Sequence, residues 1–572
     1  MNIKIYFSNE LEELDSYKKF FIKKLLFKDE NYLSGKLFNV EFIEFSKFSI
    51  DLNSFDIILV DDAFVADASV NLQKTLLDKW QKSSQNILFV AISKNFANLE
   101  LLASRVNFLQ LYMSKDWFSN LEIEVYLDIL KSMLNVESIK VFISYSRDDG
   151  SEIAINLKRY IDENTKLDRF FDIQSIHNSQ NWQKTLQKEI SECKLFIFVY
   201  SDSFSKKEWP QRELLWAKSS NKAIVAIDAL TNQDSRVFPY IGNVKMIKYN
   251  LQDDFAKVIS EGLKEAIKKE IFNIEPKKEY IVIKNHPELL NILNLNSNKI
   301  LYPEPPIKLS EQEIYNNLNI ELKTPLQEIT INKELKVAIS ISEANDIEDI
   351  GLIIEHLHLL MVEIARYLLI NRATLMYGGD IFYNKEEFNF TKSLVELLIS
   401  YNKDYYDKKR LINFSVKPFS NKLSKAIKAE YKGIIEFIEL GNDCTFEQKN
   451  IVYNNLSLLR EEMTKACNAR VVIGGKVDGF LGRYPGILEE VFYAIKYNKP
   501  IFIVGGFGGC AKEIVNFIQN RSTLLERYDI ANYIKQNFNL NNGLSNQENE
   551  ILFTSTNIYE IIKLIIKGLA KL

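Results

Sequence analysis

VFISYSR, residues Val141–Arg147, runs straight into Asp148-Asp149-Gly150. β-Branched and aromatic residues give way to small hydroxyls, an arginine and a turn, which reads as a buried strand feeding a helix. In open α/β sheets ligands lie beyond the carboxyl ends of the strands, so Ser144, Tyr145 and Arg147 stand at a potential site. The alternation continues outward. Strands are expected at Arg169–Asp172, Leu195–Tyr200, Ala223–Ala229 and Val244–Tyr249, and helices at Glu152–Asp162, Trp182–Cys193, Pro210–Lys218 and Asp254–Ile271. Upstream, Ile3–Phe7, Val40–Phe45, Ile57–Asp62 and Ile87–Ile92 read as strands, Leu11–Leu26 and Val70–Gln81 as helices. Downstream, strands are expected at Leu335–Ile341, Leu375–Tyr377, Arg410–Val416, Arg470–Ile473 and Pro500–Val504. Helices there are Gly351–Ile370, Tyr453–Cys467, Ile487–Tyr497 and Cys510–Asn520, and Asn537–Glu550 reads as a loop. The pattern predicts an α/β chain of three doubly wound, mostly parallel-sheet domains in tandem. The boundaries are 1–136, 137–272 and 331–572, with a connecting region at 273–330 that carries Tyr302-Pro-Glu-Pro-Pro306.

Bulk composition narrows the classes. The 572 residues balance 72 Lys+Arg against 76 Asp+Glu, a net charge of −4, so nothing points to nucleic acid. An apolar share of 46% with 26% charged residues excludes extensive disorder. Cys193, Cys444, Cys467 and Cys510 show no paired spacing, and His177, His286, His356 and His358 are scattered, so neither disulfides nor a metal centre is expected. The start, MNIKIYFS, reads as a strand and not a leader, and no long apolar run occurs, so a cytoplasmic protein without membrane contact is expected. In the first domain Asp61 and Asp62 end the third strand as in a receiver domain. The first strand, however, ends in Ser8-Asn9 without paired carboxylates, and an interaction domain lacking a site is expected. Its strand–helix order over a similar length suggests a distant, degenerate duplicate of the middle domain.

In the middle domain, Phe170-Phe171-Asp172 places a polar residue at a second strand end, and Trp182 opens the next helix. The stretch SDSFSKKEWPQREL, Ser201–Leu214, puts Pro210 in a first helical turn and Trp209 and Glu213 four residues apart on one face. Together these boxes resemble a TIR domain, and more narrowly the bacterial TIR domains that cleave NAD, over roughly 139–271. The resemblance implies that Glu213 is catalytic. A carboxylate beside the ribose hydroxyls stabilises the charge that develops when the nicotinamide–ribose bond breaks. It implies substrate contacts from Phe142, Ser144, Tyr145, Arg147, Asp172, Trp182 and Trp209, and a composite site built by Ile173–Asn181 between two such domains. No separate cofactor is implied, NAD being the substrate. Two positions depart from the family: Asn178-Ser179-Gln180-Asn181 lacks the usual glycine, and Pro210 replaces a common cysteine.

Glycine is the scarce residue, 20 in all with 11 prolines, and nine of the 20 lie between Gly474 and Gly509. RVVIGGKVDGFLGRYPGILEE, Arg470–Glu490, ends a β-run in Gly474-Gly475 and starts a helix after Pro485-Gly486. Glycine lets backbone N–H groups approach an anion, and a helix N-terminus adds a favourable dipole. Lys476 and Arg483 supply charge, Glu489 and Glu490 a carboxylate for ribose or base, and the next strand ends in Gly505–Gly509, including Gly506. Ser340, Ser342 and the Tyr377-Gly378-Gly379-Asp380 turn complete the expected rim. This arrangement resembles the SLOG family of phosphoribohydrolases and nucleotide sensors, particularly the SLOG domains fused to TIR or sirtuin-like effectors in bacterial immunity, the Thoeris anti-phage system among them. The enzymatic members carry a longer glycine motif. Its central Gly-x-Gly-Thr is missing after Pro485-Gly486, which favours sensing over hydrolysis.

Taken together, the resemblances imply an NAD+ nucleosidase effector. Its TIR domain would be activated by oligomerisation when the SLOG domain binds a nucleotide such as a cyclic ADP-ribose isomer. Two alternatives stand beside it: a non-enzymatic TIR scaffold regulated by the SLOG domain, and a SLOG-type nucleotide phosphoribohydrolase.

Overall fold

A computed structural model describes the chain except residues 1, 26–37, 50, 83–85, 114–116, 172–181, 232–240, 242–243, 251–253, 272–278, 285, 294, 332, 351, 353, 379–389, 402–408 and 423–424. The described residues fall into two compact units, one up to Pro303 and one from Glu304 to Leu572, so the boundary lies inside the segment read as connecting.

The first unit holds two parallel sheets. Strands β1 (Asn2–Phe7), β2 (Asn39–Glu44), β3 (Ser54–Val60), β4 (Ile87–Ala91) and β5 (Phe108–Gln110) pair in the order β2-β1-β3-β4-β5. Helices α1 (Leu14–Leu25), α2 (Asp62–Asp67), α3 (Val70–Lys82), α4 (Glu100–Ala103) and α5 (Trp117–Leu134) connect and flank them. The second sheet contains β6 (Lys140–Tyr145), β7 (Asp168–Phe171), β8 (Leu195–Tyr200), β9 (Ala223–Asp228) and β10 (Lys245–Lys248), ordered β10-β9-β8-β6-β7. Its helices are α6 (Ser151–Asn164), α7 (Trp182–Glu192), α8 (Glu208–Ser219) and α9 (Asp254–Ile271). Both sheets follow the doubly wound order 2-1-3-4-5, which many α/β folds share. The first domain packs on the second through α5 against α9, with Lys166 Nζ 2.8 Å from the buried Glu124 carboxylate. Asp61 plays a structural part, capping α2 by accepting from Phe64 N at 2.8 Å. A short parallel pair, β11 (Ile281–Val282) with β12 (Lys299–Leu301), and helix α10 (Leu289–Leu293) complete the unit.

The second unit opens with α11 (Leu309–Asn317) and β13 (Glu321–Lys323). Its main sheet is parallel, with β14 (Lys336–Ser342), β15 (Thr374–Tyr377), β16 (Leu411–Val416), β17 (Ile435–Leu440), β18 (Ala469–Gly474) and β19 (Ile501–Val504) in the order β17-β16-β15-β14-β18-β19. Strand order reverses between β14 and β18, and the register sets Ser342 beside Gly474 at that switch point. Helices α12 (Ile354–Ile370), α13 (Phe390–Tyr401), α14 (Lys425–Glu430), α15 (Lys449–Ala466), α16 (Gly486–Lys496), α17 (Gly509–Ile518), α18 (Asp529–Gln536), α19 (Asn546–Thr554) and α20 (Ile558–Leu569) surround it. The core joins Val337, Ile339, Val471 and Ile473 to Leu360, Ile364 and Ile562 of α12 and α20.

The loop expected at Asn537–Glu550 is corrected in its second half, where α19 begins at Asn546. Ser545 Oγ accepts from Glu548 N at 3.3 Å and the Glu548 carboxylate accepts from Ser545 N at 2.8 Å. This capping box satisfies two helix-end donors and overrides the polar composition. The pattern also missed β5, β17, α5, α13 and α18–α20. In α5 apolar residues surround too much of the helix to show a period, and in β17 Glu436 and Glu439 fall on opposite faces and break the alternation, whereas α20 carries a clear helical period through Ile558, Ile561, Ile562, Ile565, Ile566 and Leu569 and was legible.

Candidate functional site

Alternation along β6 sends Phe142 and Ser144 to the face covered by α7 and α8. Phe142 is fully buried, stacked on Phe196 with centroids 5.4 Å apart, and so underlies the site from the core instead of lining it. One step nearer the carboxyl edge, Ser144 Oγ donates to Glu213 Oε2 at 2.6 Å. Glu213 is only 4% exposed although it is a carboxylate, so the protein spends a polar contact to hold it. Trp209 lies one turn before it at the start of α8, half-buried, with the Arg212 guanidinium 5.0 Å from its ring centroid. Tyr145 is half-buried and Arg147 exposed at the same edge. Trp182 starts α7, while Asp172 and the Ile173–Asn181 loop lie outside the described residues.

The neighbouring turns are clamped together. Asp149 accepts from Ser201 Oγ at 2.5 Å, from Ser203 N at 2.8 Å and from Ser203 Oγ. Burial works to raise the Asp149 carboxyl, but these hydrogen bonds outweigh it and hold it below the usual range. The loop after β8, which leads to the Glu213 helix, is thus fixed to the turn after β6.

In the second unit the crevice at the switch point is built differently. Gly475 N donates to Ser342 O at 3.0 Å, and Cys510 N to Gly475 O at 2.8 Å, so the turns after β14, β18 and β19 lie backbone against backbone. A side chain on Gly509 would put Cβ 2.3 Å from Gly475 O. At Gly506 it would lie 2.1 Å from Ser555 O, which means Gly506 serves close packing on the end of α19 and not the crevice. Much of the glycine cluster is therefore explained by turns pressed on one another. Lys476 and Arg483 are exposed on the lip between β18 and α16, where Lys476 Nζ stands 3.8 Å from Glu343. Gly486 opens α16 beside Arg460, and Gly378 is exposed after β15. Gly379 lies outside the described residues.

Two carboxylates expected to face a ligand are already held. Glu489 accepts from Ser457 Oγ at 2.5 Å and pairs with Arg460. Glu490 Oε2 lies 3.2 Å from Arg470 Nη1, which also donates to Ser340 Oγ at 2.5 Å, while Nη2 donates to Thr464 Oγ1 at 2.6 Å. Ser340 and Glu490 are thus joined through a fully buried guanidinium. Asp346 takes the N-terminus of α17, accepting from Gly509 N at 2.6 Å with Lys512 Nζ 3.3 Å away. Sequence reasoning missed Arg460, Arg470 and Asp346. The signal for Arg470 was present, since a charge inside the apolar run Ala469–Gly474 requires a partner.

A middle domain with a buried carboxylate at the carboxyl edge of its sheet is followed by a domain whose glycine turns meet at the switch point of its sheet. Residues 141–261 match the TIR domain family, and residues 331–539 match SLOG cluster2. The chain is a fusion of a TIR domain with a C-terminal SLOG domain. No curated protein matches it. Among the described residues no helix is long and apolar enough to cross a membrane.

Proposed function

We propose that the TIR domain is an NAD+ nucleosidase and that the SLOG domain senses a nucleotide signal that switches it on. The observation that carries this reading is the Ser144–Glu213 pair at the carboxyl edge of β6. In this reading NAD+ binds with its ribose hydroxyls on Glu213 and its nicotinamide ring near Trp209, Tyr145 and Arg147. The bond from ribose C1′ to nicotinamide N1 breaks and its electron pair leaves with the ring. The Glu213 carboxylate faces the positive charge that develops on the ribose. Water adds to C1′ and releases a proton, giving ADP-ribose and nicotinamide. Ser144 orients the carboxylate; Trp182, Asp172 and the Ile173–Asn181 loop supply further walls from a neighbouring copy.

The signal, a nucleotide of the cyclic ADP-ribose class, binds the SLOG crevice at Ser342, Gly474, Gly475, Lys476 and Arg483, with Gly378 and Gly379 at its rim. Ligand that prefers the assembled state drives homo-oligomer formation and completes the TIR sites. The protein then acts in the cytoplasm as a Thoeris-like anti-phage effector by depleting NAD+, without nucleic acid or membrane as partner. The test is nicotinamide release by the purified full-length protein with and without cyclic ADP-ribose isomers. Signal-dependent release that falls at least ~100-fold in Glu213→Gln, a loss on the scale of a catalytic group, is expected. Release at the wild-type rate in that variant would refute the assignment.

A further inference from the structure

The opposite edge of the TIR sheet, away from Glu213, carries a feature the proposed activity does not use. A cavity of about 200 Å³ opens where β8 and β9 begin. Leu130 and Leu134 of α5 form its wall from the N-terminal domain, and Lys194, Lys222, Lys269 and Glu270 come from the TIR side. Three ammonium groups against one carboxylate leave an excess of positive charge around a partly enclosed space. At roughly 30 Å³ per water, the volume takes a small oxyanion together with a few waters.

The amines are positioned, not loose. Lys222 Nζ donates to Ser191 O at 2.5 Å, and Lys269 Nζ to Asn221 O at 3.2 Å and to Lys222 O. An ammonium has three donors; among the described residues these carbonyls take one from Lys222 and two from Lys269, so each keeps a donor for a ligand. Burial pushes the Lys269 amine down to about 8, and burial lowers Lys222 as well. Such desolvated cations gain most from an anion that replaces lost water.

We propose that this cavity binds a phosphate-sized oxyanion, held by Lys222 and Lys269 with Lys194 at its mouth.

All five tryptophans, Trp80, Trp117, Trp182, Trp209 and Trp216, precede Pro303, so tryptophan fluorescence reports the unfolding of this unit, and the lysine variants separate phosphate bound here from phosphate bound elsewhere. Thermal unfolding of the full-length protein is followed by that signal with inorganic phosphate, against sodium chloride at equal ionic strength. The expected result is a saturable rise with phosphate alone, with affinity at least ~10-fold weaker in Lys222→Met and Lys269→Met and largely kept in Lys222→Arg. A rise matched by chloride, or unchanged in both Met variants, overturns the proposal. Should those variants fold poorly, reductive methylation of the wild-type protein read by peptide mass spectrometry decides. Phosphate is expected to shield Lys222 and Lys269 but not Lys188, which is 70% exposed; equal labelling of all three overturns it.

Discussion

The Arg460–Glu489 pair offers a quantitative test of how the SLOG crevice is held. The two side chains are 11% and 3% exposed, on α15 and α16, and Ser457 Oγ is the other described donor to that carboxylate. Arg460→Met therefore leaves a buried anion with one hydroxyl partner, a change that costs about 3–5 kcal/mol. Replacing both residues, in Arg460→Met with Glu489→Met, removes the stranded charge. The methionines take the space beside Gly482 and Gly486, where an added Cβ would lie 3.2 and 2.9 Å from the guanidinium nitrogens. The double variant should then recover to within ~1–2 kcal/mol of wild type, a coupling energy of about 2 kcal/mol or more. Urea unfolding read by far-ultraviolet circular dichroism reports both units, and tryptophan fluorescence only the first. At a slope of ~3 kcal/mol/M the single variant shifts the second unit's midpoint by roughly 1 M while the tryptophan transition stays in place. Additive effects in the double variant, or an equal shift of the tryptophan transition, would refute the reasoning.

Ser545→Ala removes the capping box of α19 and should lower the second unit's stability by ~1 kcal/mol in the same denaturation assay. Gly506→Ala should cost ~2 kcal/mol or more, because its Cβ would meet the Ser555 carbonyl; a normal unfolding curve with weakened nucleotide binding would instead return Gly506 to the crevice. Burial pushes the Glu304 carboxyl up to about 8 from its ordinary 4.5, against hydrogen bonds from Thr324 and Leu326 N. The folded protein keeps that proton where the unfolded chain has lost it, so stability should fall between about pH 5 and 8 by up to ~1.4 kcal/mol per pH unit, and Glu304→Gln should flatten that slope in unfolding curves taken across the range.

What could be read from residues alone follows the range of the interactions involved. The strand Leu195–Tyr200 coincides with its expected limits because a strand buried on both faces is written in consecutive apolar residues. The approach of Glu213 to Ser144, 69 positions apart, was anticipated only as far as strand ends gather functional groups. The pairing of Arg470 with Ser340, 130 positions away, was not legible, since nothing local states which partner a buried charge will find. The glycine cluster was visible as a count but not as a role. A glycine needed for a ligand and one needed beneath a neighbouring carbonyl look the same in sequence, and only the contact at Ser555 separates Gly506 from the crevice.

Both candidate sites share a property that constrains any account of switching. Glu213 is held by Ser144, Glu489 by Arg460 and Ser457, Glu490 by Arg470, and the α17 N-terminus by Asp346. A carboxylate has further acceptor sites, so a ligand can join Ser144 on Glu213, but wherever a ligand displaces one of these partners the exchange returns only the difference between old and new hydrogen bonds. Net affinity then comes from groups the protein holds only weakly, such as the exposed Arg483 and Lys476, whose ion pair with Glu343 is long and solvent-exposed. Substituting Lys476 or Arg483 should therefore weaken signal binding without unfolding the domain. Substituting Arg460 or Arg470 should first destabilise the fold, so under the proposed function ligand binding and stability would rest on separable residues.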